Sequence, residues 1–145
     1  MYKAVVLLFV LGAVAFCYGD ESAKEDAKAA VQELVKKCAK ETGATEEEIK
    51  ELKTKVPLES KGAKCFGACL YRNFGVFKDG KYNPEALVAA SKMFYDETTP
   101  QHEKIKEIAQ ECAKEVVDAD ECELAAKAVA CESPKFKENN IDIPL

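Results

Sequence analysis

The chain has 145 residues, 26 acidic against 21 basic side chains, and seven cysteines. That length is one domain's worth and is enough to bury a core without staples. A net charge of −5 argues against nucleic acid or an anionic membrane surface as a partner.

Residues 1–19 read as a signal peptide. Lys3 supplies the positive end, and Ala4 to Phe16 is an apolar run too short to span a bilayer. Cys17 and Gly19 are small residues where a signal peptidase needs them, which places cleavage before Asp20. Residues 20–145 then form the mature domain. Its charge is one unit more negative because only Lys3 is lost, and its cysteines become an even six. No later segment is apolar enough to cross a membrane, so no stable membrane insertion is expected.

The mature sequence reads as six helices. The first runs from about Ser22 to Glu41, with Ala27, Val31, Leu34 and Cys38 on one stripe and Gly43 as its stop. Thr45-Glu46-Glu47-Glu48 is a capping box that opens a short second helix, closed by Pro57. Ser60 caps a third, carrying Cys65, Phe66, Cys69, Leu70 and Phe74, and Gly75 ends it. Val76 to Tyr82 is a loop with an Asp-Gly turn; it has strand character but no evident second strand. Asn83-Pro84 starts a fourth helix that extends to about Tyr95, and Thr99-Pro100 starts a fifth with Ile105, Ile108, Ala109, Cys112 and Val116 inward. Asp120 caps a sixth helix, apolar nearly all round and therefore central, which Ser133-Pro134 ends near Cys131. The tail finishes Ile141-Asp142-Ile143-Pro144-Leu145, with its aliphatic residues at alternate positions. An extended tail turns these to one side, where they fold back on the body.

The six remaining cysteines follow C-x26-C-x3-C-x42-C-x9-C-x8-C. In a short secreted chain an even set is a disulfide framework. Cys65 and Cys69 lie four apart on one helix, so each reaches a different remote partner more readily than the other. Fifteen pairings remain formally open. The chain has no CxxC pair and one histidine, which argues against zinc; no metal and no cofactor are expected.

This spacing, together with the signal peptide and six helices, resembles the insect odorant-binding proteins of the six-cysteine pheromone- and general-odorant-binding type. The segments Thr42-Gly43-Ala44-Thr45, Lys64-Cys65-Phe66-Gly67-Ala68-Cys69-Leu70 and Phe77-Lys78-Asp79-Gly80-Lys81-Tyr82-Asn83 carry the same likeness. The resemblance implies an all-α, six-helix, disulfide-stapled single domain enclosing an apolar cavity. It implies the bridges Cys38–Cys69, Cys65–Cys122 and Cys112–Cys131. It also implies a secreted carrier of small hydrophobic molecules, monomeric or weakly dimeric, with a chemosensory receptor as a further partner.

A carrier pocket needs an apolar lining and a few polar groups to orient its ligand. By analogy with the regions that line the family's cavity, the candidates are Phe66, Leu70 and Phe74 on the third helix and Phe77 in the loop. Leu87, Ala90, Met93, Phe94 and Tyr95 come from the fourth helix, Val129 from the sixth, and Phe136, Ile141 and Ile143 from the tail. Tyr71, Tyr82 and Tyr95 are the polar handles, Tyr95 first among them. Catalysis has little support. His102 is expected on a solvated face of the fifth helix, with no nucleophile arranged around it. The competing reading is a secreted six-cysteine helical protein that binds lipid bilayers in the manner of saposins, whose cysteine spacing differs.

Overall fold

A computed structural model describes residues 19–118 and 120–143, so the proposed signal segment, apart from Gly19, and the last two residues of the tail lie outside the described residues. Among the described residues there are six helices and one short hairpin: α1 (Gly19–Thr42), α2 (Glu46–Thr54), α3 (Lys61–Asn73), β1 (Phe77–Lys78), β2 (Lys81–Tyr82), α4 (Pro84–Ser91), α5 (Pro100–Cys112) and α6 (Glu121–Glu138). The helix starts follow local chemistry. Thr45 and Glu48 exchange side-chain and backbone bonds in a capping box, and the side chains of Ser60, Asn83, Thr99 and Asp120 each accept a first-turn amide. These contacts satisfy donors that a helix start otherwise leaves bare.

Helix α6 packs along α3 and α5, while α1 and α2 cover the other side of α3. Gly67 permits a close approach of α3 to both α2 and α6, since a Cβ there would sit 3.2 Å from Leu52 Cδ1 and 3.6 Å from the Ala125 Cβ. Two apolar clusters result. One joins Cys38, Leu52, Leu58, Phe66, Cys69 and Val129 across α1, α2, α3 and α6. The other joins Val76, Phe77, Leu87, Ile105, Ile108, Leu124 and Phe136 across the hairpin, α4, α5 and α6. Three disulfides staple the helices: Cys38–Cys69 ties α1 to α3, Cys65–Cys122 ties α3 to α6, and Cys112–Cys131 ties α5 to α6.

The structure corrects the sequence reading in four places. The loop at Val76–Tyr82 contains its own second strand: Phe77 pairs with Tyr82 and Lys78 with Lys81, antiparallel. Asp79 and Gly80, at φ 53° and 70°, form the two-residue turn that closes such a hairpin. Helix α4 stops at Ser91 rather than near Tyr95, because the amides of Lys92, Met93 and Phe94 bond to carbonyls only three residues back. Helix α6 runs through Pro134 to Glu138. Proline removes the bond to the Ala130 carbonyl. Ala130 is exposed, so water can take that carbonyl, and buried Phe136 beyond it holds the next turn against the core. Lastly, His102 is buried, at 5% exposure, against Ser91 Oγ, 3.3 Å from its Nδ1. The docking of the first turn of α5 on the end of α4 outweighs the charges that flank it in sequence.

Candidate functional site: an apolar cavity with a buried acid

A half-open cavity of about 850 Å³ lies between α3, α4 and α6, with the end of α2 and the tail at its edges. Its apolar wall has a simple origin. Leu70 and Phe74 stand four apart on α3, Leu87 and Ala90 three apart on α4, and Val129 and Phe136 seven apart on α6. Each pair falls on one face of its helix. The turn after α4 adds Phe94 and Tyr95, and the tail adds Ile141 and Ile143.

Ten of the thirteen candidates read from sequence thus stand around one cavity: Leu70, Phe74, Leu87, Ala90, Phe94, Tyr95, Val129, Phe136, Ile141 and Ile143. Three do not. Phe66, only 1% exposed, faces the α1–α2 side of α3 and fills that core. Phe77 is buried behind the wall, its ring stacked on Tyr71 at 4.8 Å and edge-on to Tyr82 at 6.5 Å. Met93, in the tighter turn that follows α4, is not among the residues that line the cavity.

The polar handles have distinct jobs. Tyr95 Oη donates to the Asp142 carbonyl at 2.8 Å and accepts from the Asp142 amide at 2.7 Å. Its hydroxyl is therefore a clip for the tail. The tail reaches it because Asn140 takes a left-handed conformation (φ 54°), which sends the Ile141 amide back to the Phe136 carbonyl at 2.9 Å and buries the Ile141 side chain.

Tyr71 donates to Glu132 Oε2 at 2.6 Å. Glu132 is 2% exposed and lines the cavity, yet its Oε1 has no hydrogen-bond partner, and neither does the buried hydroxyl of Tyr82 nearby. Desolvation raises the Glu132 carboxyl to about 7, against the nearby hydroxyls of Tyr71 and Tyr82, which favour the anion. Burial, then the neighbouring carboxylate, pushes the Tyr71 and Tyr82 phenols upward, so both stay neutral. Glu132 is the residue that sequence reading missed. With α6 carried through Pro134, Ala125, Ala128, Glu132 and Phe136 form one stripe, and a carboxylate on an apolar stripe is the available signal. The end of α2 (Leu52, Lys53, Thr54) and Val56 also border the cavity without having been anticipated.

Among the described residues no group of side chains is arranged to hold a metal, and no helix is long and apolar enough to cross a membrane.

Comparison with known proteins agrees with this architecture. Residues 20–134 match the model of the PBP/GOBP family. The chain belongs to that family. It is 28% identical over 138 residues to general odorant-binding protein 28a of Drosophila melanogaster, covering 94% of each chain. It is 27% identical over 131 residues to general odorant-binding protein 19d of the same fly, covering 88% of this chain and 87% of that one. The solved structure of the 28a odorant-binding protein superposes with a TM-score of 0.69 at 28% identity, over 82% of this chain and 99% of that one. The all-α, disulfide-stapled fold is therefore that of an odorant-binding protein.

Proposed function

We propose that this member of the PBP/GOBP family is a secreted carrier that takes a small hydrophobic molecule into the cavity between α3, α4 and α6 and moves it through aqueous extracellular fluid. The cavity carries the reading. Its volume suits a small organic ligand, its wall is mainly aliphatic and aromatic, and its polar groups are few, as such sites require. The apolar run behind Lys3 and the three disulfides support secretion into an oxidising compartment. In the carrier reading, Leu70, Phe74, Leu87, Ala90, Phe94, Val129, Phe136, Ile141 and Ile143 supply the contact area for the ligand.

With no tryptophan in the chain, binding is read with an environment-sensitive apolar fluorophore. One saturable site per chain is expected, with a dissociation constant of roughly micromolar order, about 8 kcal/mol. Delipidated protein that shows no saturable binding would falsify the carrier reading.

The tail acts in this reading as a lid held by Tyr95. Deleting residues 139–145 leaves α6 entire and removes Ile141 and Ile143 from the wall. Ligand release is expected to speed up by about tenfold, the scale of one lost aliphatic contact of ~1.5 kcal/mol. Tyr95→Phe, which cuts only the two bonds to Asp142, should give a smaller acceleration in the same direction. Stopped-flow dilution at neutral and mildly acidic pH measures both, and release at the wild-type rate in the truncated chain rules the lid out.

A further inference from the structure

Resting on the carrier reading, we propose that Glu132, beside Tyr71 in the cavity wall and with Tyr82 behind it, is the polar subsite of the cavity and selects apolar ligands that carry a carbonyl oxygen (aldehydes, ketones or esters) by donating a hydrogen bond to it.

Glu132 lies in the cavity wall at 2% exposure, and its Oε1 is unpartnered. The groups that act on the carboxyl are the hydroxyls of Tyr71 and Tyr82, with no cation among them. An isolated charge without a cation is costly in such a place, so the neutral acid is the form that the site favours at mildly acidic pH. In that form the cluster holds three hydroxyl protons. Tyr71 gives its proton to Oε2. The acid proton and the Tyr82 proton remain, and even if one of these groups turns to the other, one proton has no acceptor. A buried donor left unsatisfied is a standing cost. A ligand oxygen with lone pairs and no proton of its own removes that cost, and a hydrocarbon cannot.

The hairpin fixes this arrangement. Phe77 sits between the rings of Tyr71 and Tyr82, stacked on one and edge-on to the other, and cross-strand pairing with Phe77 fixes the position of Tyr82. The remaining titratable groups around the cavity are Lys53 from α2, Tyr95 after α4, Lys137 on α6 and Asp142 in the tail. Lys53, Lys137 and Asp142 are exposed, and the Tyr95 hydroxyl is taken up by the tail.

The test uses three ligands of one chain length, nonane, 2-nonanone and nonylamine, displacing an apolar fluorophore at about pH 5.5 and about pH 8.5. In the native chain 2-nonanone is expected to bind about tenfold tighter than nonane at the lower pH, the scale of one hydrogen bond that satisfies a buried donor. The advantage should shrink to about two- to threefold at the higher pH, where the acid proton is lost. Glu132→Gln keeps an N–H donor and should keep the ketone preference at both pH values. Glu132→Leu should abolish it while nonane still binds, which shows that the cavity is intact. An undiminished ketone preference in Glu132→Leu overturns the proposal. So does nonylamine emerging as the tightest ligand with affinity rising with pH, because the subsite would then be an anion that pairs with ammonium. If not even nonane displaces the fluorophore from the native chain, the carrier reading fails, and the subsite falls with it.

Discussion

Replacing Cys65 and Cys122 together by alanine is expected to lower the stability of the fold by about 4 kcal/mol, the largest loss that opening the bridge loop alone produces for any of the three disulfides. The reason lies in the unfolded chain. This bridge closes a sequence separation of 57 residues, against 31 for Cys38–Cys69 and 19 for Cys112–Cys131. In the chain-entropy model the loss grows with the logarithm of the loop, so the shortest bridge contributes about 3 kcal/mol. Cys65 and Cys122 are also only half-buried, whereas Cys38, Cys69 and Cys112 are at most 1% exposed. Alanine at the inner positions leaves a void that adds its own cost. The outer pair therefore reports the loop effect most cleanly. The consequence reaches the site, since α3 brings Leu70, Tyr71 and Phe74 to the cavity and α6 brings Val129, Glu132 and Phe136. Once the clamp between these two walls is gone, ligand affinity should fall with stability. Denaturant midpoints under non-reducing conditions measure the first effect and fluorophore titration the second. A loss below about 1 kcal/mol would show that helix packing alone fixes α3 against α6.

How far the site was legible depended on how local its causes are. Helix starts were legible at Thr45, Ser60, Asn83, Thr99 and Asp120, because a cap is a contact between residues two or three apart. The apolar stripes of α3 and α4 were legible for the same reason. The end of α6 was not. Pro134 is a stop signal by every local rule, and only the burial of Phe136 and the exposure of Ala130 make the extra turn tolerable. Missing that turn hid Glu132, so the most unusual side chain of the cavity was absent from the candidates. His102 failed in the same way: the charges beside it are visible in sequence, while the α4 surface that covers it is not. The hairpin was missed because two strands of two residues each give periodicity nothing to act on, although the Asp-Gly turn was in plain view.

Glu132 gives the protein an unusual dependence of stability on pH, and Glu132→Gln is expected to remove it. In the unfolded chain this carboxyl titrates near its ordinary value of 4.5, and in the folded chain burial raises it to about 7. Between those values the folded state holds a proton that the unfolded state has released, so stability falls as pH rises. The contribution is fully present below about pH 4.5 and lost once pH passes about 7. It amounts to about 3 kcal/mol, on the conversion of 1.36 kcal/mol per pH unit. The carboxyls of Glu51, Asp96, Glu97 and Glu111 act in the opposite sense. Glu51 is lowered by the backbone amides of Ser60 and Glu59, Asp96 by the hydroxyl and amide of Thr98, Glu97 by Lys92 and Glu111 by Lys135. Their stabilisation is present above their unfolded values and lost as pH falls below them, so the two effects occupy separate pH windows. Glutamine keeps an oxygen to accept the Tyr71 proton and cannot ionise. Urea titrations of both chains should give similar stabilities near pH 4.5, with the variant ahead by up to about 3 kcal/mol near pH 8.5. A native chain whose stability is flat from about pH 5 to pH 8 would mean that water reaches the carboxyl and holds its charge. In that case the cavity wall at Glu132 is wetter than the packing of Tyr71, Phe77 and Tyr82 around it implies.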